Sequence, residues 1–198
     1  MSRAVTVHLG FEEAERVEAA RLLWEAFERK LRPALGPEAR ALTFLAEALD
    51  PQNALCARDA AGRLLGLAGF RTAESAFMRG SLPELRAHYG AIGGFGRGLL
   101  LAAFERNLPH GQFLVDGIFV RSDARGGGVG TALIEAVCAE AVRRGCRQVL
   151  LDVTDTNPRA RALYERRGFV AVKEARVGPV LRRLFGFSRA VTMVRLLA

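Results

Sequence analysis

The segment Arg125-Gly126-Gly127-Gly128-Val129-Gly130-Thr131 constrains the fold more than any other stretch of the chain. Before it runs Phe113 to Val120, with the apolar content of a strand. After it Val129, Ala132, Leu133, Ala136 and Val137 recur at helical spacing. A tight turn from strand into helix belongs to α/β layers, in which the helix packs back on the sheet. The turn is also suited to an anion. The first N–H groups of a helix have no partner within it, and the helix dipole adds positive charge there. Glycines let the backbone close on a ligand and aim those N–H groups at it, and Arg125 adds a cation at the rim. A pyrophosphate is the ligand this geometry suits.

Two nucleotide motifs fail on these residues. A phosphate loop of the Gly-Lys-Ser/Thr type needs a lysine, and Lys30 and Lys173 are the chain's lysines, neither nearby. The dinucleotide fingerprint needs a sixth-position glycine, where Gly126 is followed by Thr131 and Gly128 by Leu133.

The rest of the chain continues the alternation. Ala4 to Leu9 reads as a strand and Phe11 to Leu31 as a helix that Pro33 and Pro37 end; Ala39 to Leu49 is a second helix. Ala54 to Arg58 and Leu64 to Arg71 are strands joined at Asp59–Gly62 by a hairpin turn. Ala73 to Gly111 breaks the pattern, with helical pieces near Pro83–His88 and Gly98–Asn107 around a glycine-rich segment, Gly90–Gly98. Then come the strand Phe113–Val120, a helix from Val129 to Arg144, a strand Gln148–Thr154, a helix Asn157–Arg167, and closing strands Phe169–Lys173 and Ala190–Leu197. Strand, helix and strand in this order place two parallel strands side by side.

Composition removes several function classes. The longest apolar run, Leu99 to Phe104, is far short of the roughly 20 residues of a membrane span. No leader pattern opens the chain, so the expectation is a cytoplasmic protein without membrane attachment. Cys56, Cys138 and Cys146 form neither a disulfide framework nor a metal spacing, and with three histidines no metal is expected. The net charge of +8 asks for an anionic ligand, but no basic run interleaved with aromatics suggests nucleic acid. No Gly-x-Ser-x-Gly elbow points to a hydrolase.

A second motif follows one helix and one strand later. Asn157-Pro158 caps and opens a helix. Ala160, Leu163, Tyr164 and Arg167 share one face, and Gly168 ends it before Phe169. Alone, Tyr164 reads equally as a half-buried core aromatic or a catalyst. Together, Arg125-x-x-Gly128-x-Gly130 and Asn157-x-x-Ala160-x-x-Leu163-Tyr164-x-x-x-Gly168-Phe169 resemble the signature of the GNAT superfamily of acetyl-CoA-dependent N-acetyltransferases.

The resemblance implies one domain over 1–198: a mixed, splayed β-sheet flanked by helices, with the helical insertion 73–111 between the third and fourth strands. It implies that acetyl-CoA is held by Arg125, Gly126, Gly127, Gly128, Val129, Gly130 and Thr131, by the backbone of Ile118, Phe119 and Val120, and near Asn157 and Ala160. It implies direct attack of a small-molecule or peptide primary amine on the thioester, with Tyr164 as general acid. Two carboxylates compete for the base. One is Asp152; the other is Asp116, which strand alternation puts on one face with Leu114, Ile118 and Val120. For each, a purely structural role stays open. Acceptor sites of the family use the first helices and the last loop, here Arg176, Arg182, Arg183 and Arg189 with Leu181, Leu184, Phe185 and Phe187, which favours an acidic acceptor. Against this stand the glutamates of the first helix. The insertion has several uses open to it: an acceptor-site cover, a homodimer contact, a hinge at 90–98 or plain decoration. A non-catalytic acyl-CoA-binding regulator and transfer of longer acyl groups are the alternatives.

Overall fold

A computed structural model describes residues 5–78, 88–89, 108–178, 182–183 and 186–197. Seven strands form one sheet in the order β1-β2-β3-β4-β5-β7-β6. They are β1 (Thr6–Leu9), β2 (Ala54–Arg58), β3 (Leu64–Arg71), β4 (Gln112–Val120), β5 (Gln148–Thr154), β6 (Val170–Arg176) and β7 (Arg189–Leu196). All neighbours are antiparallel except β4 and β5. Helices α1 (Arg16–Leu35) and α2 (Glu38–Ala48) cover one face, and α3 (Val129–Arg143) and α4 (Pro158–Arg166) the other. This is the mixed, helix-flanked sheet expected. From residue 79 to 107, apart from His88 and Tyr89, the insertion lies outside the described residues, and with it the helical reading of that segment and its hinge at 90–98.

The first helix departs from expectation at both ends. It begins at Arg16, after a 3-10 turn at Glu13–Glu15, and runs through Pro33 to Leu35. Pro33 removes one backbone donor, but Leu35 is completely buried and its carbonyl accepts the Tyr89 hydroxyl at 2.5 Å, so packing carries the helix past the proline. Inside it, Phe27 leaves helical geometry (φ −124°, ψ 16°), and the helix bends there. The ring of Phe27 meets that of Phe119 edge-on, centroids 5.3 Å apart.

Two glycines facing each other in register make room for these rings. A Cβ on Gly69 would sit 2.2 Å from Phe77, and one on Gly117 would sit 2.6 Å from Phe119 and 2.9 Å from Phe27. Gly69→Val should therefore destabilise the fold by about 3 kcal/mol, the upper range of core overpacking. That corresponds to a fall in Tm of roughly 10 °C for a chain of this size. A melting curve within a degree or two of wild type would show that the socket yields.

Two irregularities position the site. First, β4 pairs with β5 only from Gln112↔Gln148 to Val115↔Leu151, whereas β5 continues on β7 as far as Thr154↔Ala190. Beyond Val115 the two parallel strands part, leaving a notch in the sheet. Second, a β-bulge sits where the splay begins: Gly69 pairs with Gly117 and Phe70 with Val115, so Asp116 has no opposite number. Phe113 and Val115 pack beneath α3, as do Ile118 and Val120, while Gly117 and Phe119 face α1. The extra residue thus reverses the alternation. Ile118 and Val120 do not share a face with Leu114, contrary to the simple period-2 reading.

Candidate active site

The glycine-rich turn lies beside the notch. Gly126 and Gly128 adopt φ of +80° and +85°, and a Cβ on either would meet nothing within 4 Å. Gly128 is the N-cap of α3, and the first bond to its carbonyl comes from Ala132 at 3.0 Å. The N–H groups of Val129, Gly130 and Thr131 therefore precede the helical ladder. Val129 is buried and anchors the turn, while Gly126, Gly127 and Gly128 are exposed. Arg125 folds back, its Nε donating to the Val120 carbonyl at 3.2 Å. These features fit an anion such as a pyrophosphate: open space, free donors and a nearby cation.

The free edge of β4 is continuous with this turn. The N–H of Arg121 donates to the Leu65 carbonyl at 2.9 Å, which turns its backbone, and by alternation that of Phe119, towards β3. The backbone groups of Ile118 and Val120 point the other way, into the notch. Phe119 supplies a wall instead, buried between Phe27 and Phe77. An extended chain lying against Ile118 and Val120 would lead directly to the glycine turn.

Helix α4 closes the α3 side. The Asn157 side chain accepts the Ala160 N–H at 3.2 Å, and Pro158 occupies the first turn. The ideal Cβ of Gly130 lies 3.4 Å from the Leu163 side chain, an ordinary contact between α3 and α4. Tyr164 is 9% exposed, its ring 6.0 Å from that of Phe169. Burial pushes its phenol up to about 12, so the hydroxyl keeps its proton at neutral pH.

The carboxylates occupy the opposite face. Leu151 and Val153 pack under α3, which turns Asp152 the other way; it is exposed, and the Thr192 hydroxyl donates to its Oδ1 at 2.6 Å. Asp116 is held by Arg71, whose Nε donates to Oδ1 at 2.6 Å. Its second oxygen, Oδ2, is buried with no hydrogen-bond partner. Burial raises the Asp116 carboxyl above its usual range, opposed by the Arg71 charge and hydrogen bond. A buried, half-satisfied carboxylate costs stability. The phenol thus lies on the α3 face of the sheet and Asp152 on the opposite one. Arg71 was invisible to sequence reasoning, because it ends an ordinary apolar strand and its partner is 45 positions away.

Of the arginines expected in the last loop, Arg176 and Arg189 instead end β6 and begin β7 as a register pair; Arg189 is shared between Asp155 at 4.0 Å and Glu174 at 3.7 Å, while Arg176, Arg182 and Arg183 are exposed. Leu181, Leu184 and Phe185 fall outside the described residues. Among the described residues, no His, Cys, Asp and Glu side chains gather in threes as metal ligands would, and no helix is long and apolar enough to cross a membrane.

Residues 17–169 match the family model of the acetyltransferase (GNAT) family. The chain belongs to the GNAT acetyltransferase family. A bovine relative, thialysine N-epsilon-acetyltransferase, is 38% identical over 80 residues, which span 40% of this chain and 46% of that protein. Solved structures share the fold at low identity. An N-acetyltransferase from Staphylococcus aureus Mu50 superposes with a TM-score of 0.67 at 16% identity, over 96% of this GNAT chain and all of that one. A GCN5-related N-acetyltransferase from Kribbella flavida gives 0.63 at 20% identity, with 98% of each chain covered. The matched residues include the turn at Arg125, β4, β5 and α4.

Proposed function

We propose that this GNAT protein moves an acetyl group from acetyl-CoA to a primary amine by direct attack, without an acyl-enzyme. The observation that carries the reading is the continuity of the notch with the glycine turn. Ile118 and Val120 turn backbone groups left unpaired by β5 towards the pantetheine arm, and the N–H groups of Val129, Gly130 and Thr131 receive the pyrophosphate. Arg125, now on the Val120 carbonyl, is within reach of that same anion.

In this reading the neutral amine attacks the thioester carbonyl carbon from the carboxylate face. The C–S bond breaks as the C–N bond forms. Asp116 takes the amine proton, with Arg71 holding Oδ1 and burial raising the basicity of the carboxylate. Asp152, exposed and bonded to Thr192, is the second candidate for that proton. Tyr164 gives its proton to the departing sulfur from the α3 side. The bovine relative is named for acetylating the ε-amine of thialysine, which supports an amine acceptor here. The free thiols of Cys56, Cys138 and Cys146 suit a reducing compartment such as the cytoplasm.

Titration calorimetry with acetyl-CoA, ATP and NAD in separate runs tests the reading. Acetyl-CoA alone should bind, and a panel of amines should then be screened by release of the CoA thiol. Heat from ATP or NAD with none from acetyl-CoA would remove the acetyltransferase activity from this chain.

A further inference from the structure

Three arginines of α1 are paired with glutamates. Arg16 bonds to Glu13 at 2.7 Å, Arg21 to Glu18 at 3.3 Å, and Arg32 to Glu28. Arg29, exposed between the last two, has no such partner among the described residues. Its guanidinium instead lies against Gly186 in the loop between β6 and β7. A Cβ there would sit 2.9 Å from Arg29 Cζ and 3.0 Å from Nη2, and Gly186 itself has φ +74°.

These two residues belong to opposite banks of the notch. Arg29 follows Phe27, which is seated on Phe119 in the splayed part of β4. Gly186 precedes Ser188, whose backbone N–H and hydroxyl both donate to Asp155, the residue after β5; the N–H bond is 3.2 Å. Arg29 therefore brings α1 and the β6–β7 loop together. One turn back along the same loop, the Gly186 N–H donates to the Arg182 carbonyl at 2.9 Å. Arg182 and Arg183 are exposed, and neither makes an ion pair among the described residues. The glycine turn at Arg125 lies with α3 on the other face, so these three cations are separate from the pyrophosphate site.

We infer that Arg29, with Arg182 and Arg183, receives an anionic group carried by the acceptor, so that the acceptor is a zwitterion: an amine bearing a carboxylate or a phosphate. The inference rests on the acetyl-transfer reading for what happens to the amine, but the recognition itself does not need turnover. Guanidinium forks pair in bidentate fashion with both anions. The carboxylates beneath attract the amine end, which fixes the direction in which such a molecule enters.

Matched pairs test this: β-alanine against its amide, and phosphoethanolamine against ethanolamine. Each is titrated into the wild type and Arg29→Gln proteins with CoA present, and each is assayed for thiol release with acetyl-CoA. The charged member of at least one pair should bind about 10–100-fold more tightly, the range expected of a charge-assisted contact. The pair that shows the preference tells carboxylate from phosphate. Arg29→Gln should erase the preference while leaving acetyl-CoA affinity and turnover of the neutral amine unchanged, and Arg182→Ala/Arg183→Ala should weaken it. Equal binding of both members of both pairs overturns the inference, as does an Arg29→Gln protein that keeps the preference. Failure of acetyl transfer with selective binding intact would instead strike only the reaction proposed above.

Discussion

The Gly128→Glu protein should bind acetyl-CoA at least ~100-fold more weakly than wild type, a loss of about 3 kcal/mol. Two effects combine. Gly128 sits at φ +85°, a conformation that costs an ordinary residue roughly 1–2 kcal/mol. The new carboxylate would also stand at the start of α3, where the pyrophosphate is to be held. The fold itself should survive, because a Cβ at this position meets nothing within 4 Å. The melting temperature should fall by no more than about 8 °C, as that backbone cost implies for a chain of this size. Gly128→Ala separates the two effects: it carries the backbone strain without the charge, so its affinity should lie between the others. Calorimetric titration with acetyl-CoA provides the readout. Wild-type affinity in the glutamate variant would take the pyrophosphate away from this turn.

Tyr164→Phe should lower kcat by about 100-fold or more, the usual contribution of a positioned general acid. Affinity for acetyl-CoA should stay close to wild type. Only the hydroxyl is lost; the ring keeps its place beside Phe169, in a pocket where burial already holds the phenol protonated. The deficit should also depend on the leaving group. An acetyl thioester of a more acidic thiol needs less protonation of sulfur, so the gap between variant and wild type should narrow with it. Equal deficits for good and poor leaving groups would assign Tyr164 to packing, and an unchanged kcat would remove it from the reaction.

What the sequence revealed of this site depended on how locally each part is encoded. The glycine turn and the capped helix from Asn157 to Phe169 are written in short spacings, because a positive φ, an N-cap and a helix stop each impose a residue type at one position. The Arg71–Asp116 pair and the Arg29–Gly186 contact are not encoded in this way, since each joins residues far apart in the chain. Alternation misplaced Ile118 and Val120 because a bulge is set by the register of two strands, not by the composition of one. Pro33 promised a helix end that the burial of Leu35 overrode. The splay of β4 from β5 came from the family resemblance; the apolar run Phe113–Val120 has nothing in it that says where pairing stops.

The parting of β4 and β5 bears on how the molecule holds together. Across the middle of the sheet the ladder has four register pairs, against seven between β5 and β7 and six between β3 and β4. The strands before the notch and those after it are thus two cooperative blocks joined by a short seam. Apart from that seam and the Arg29–Gly186 contact they share α3, whose Leu133, Ile134 and Val137 pack in one cluster with Phe70 and Val115 on one side and Leu151 and Met193 on the other. Openings smaller than global unfolding begin where such connections are thinnest. A molecule lodged in the notch would act as a rivet across the seam, and its binding energy would be added to the cohesion of the two blocks. Substrate capture and mechanical integrity would then be one property of this sheet, measured on the same amides.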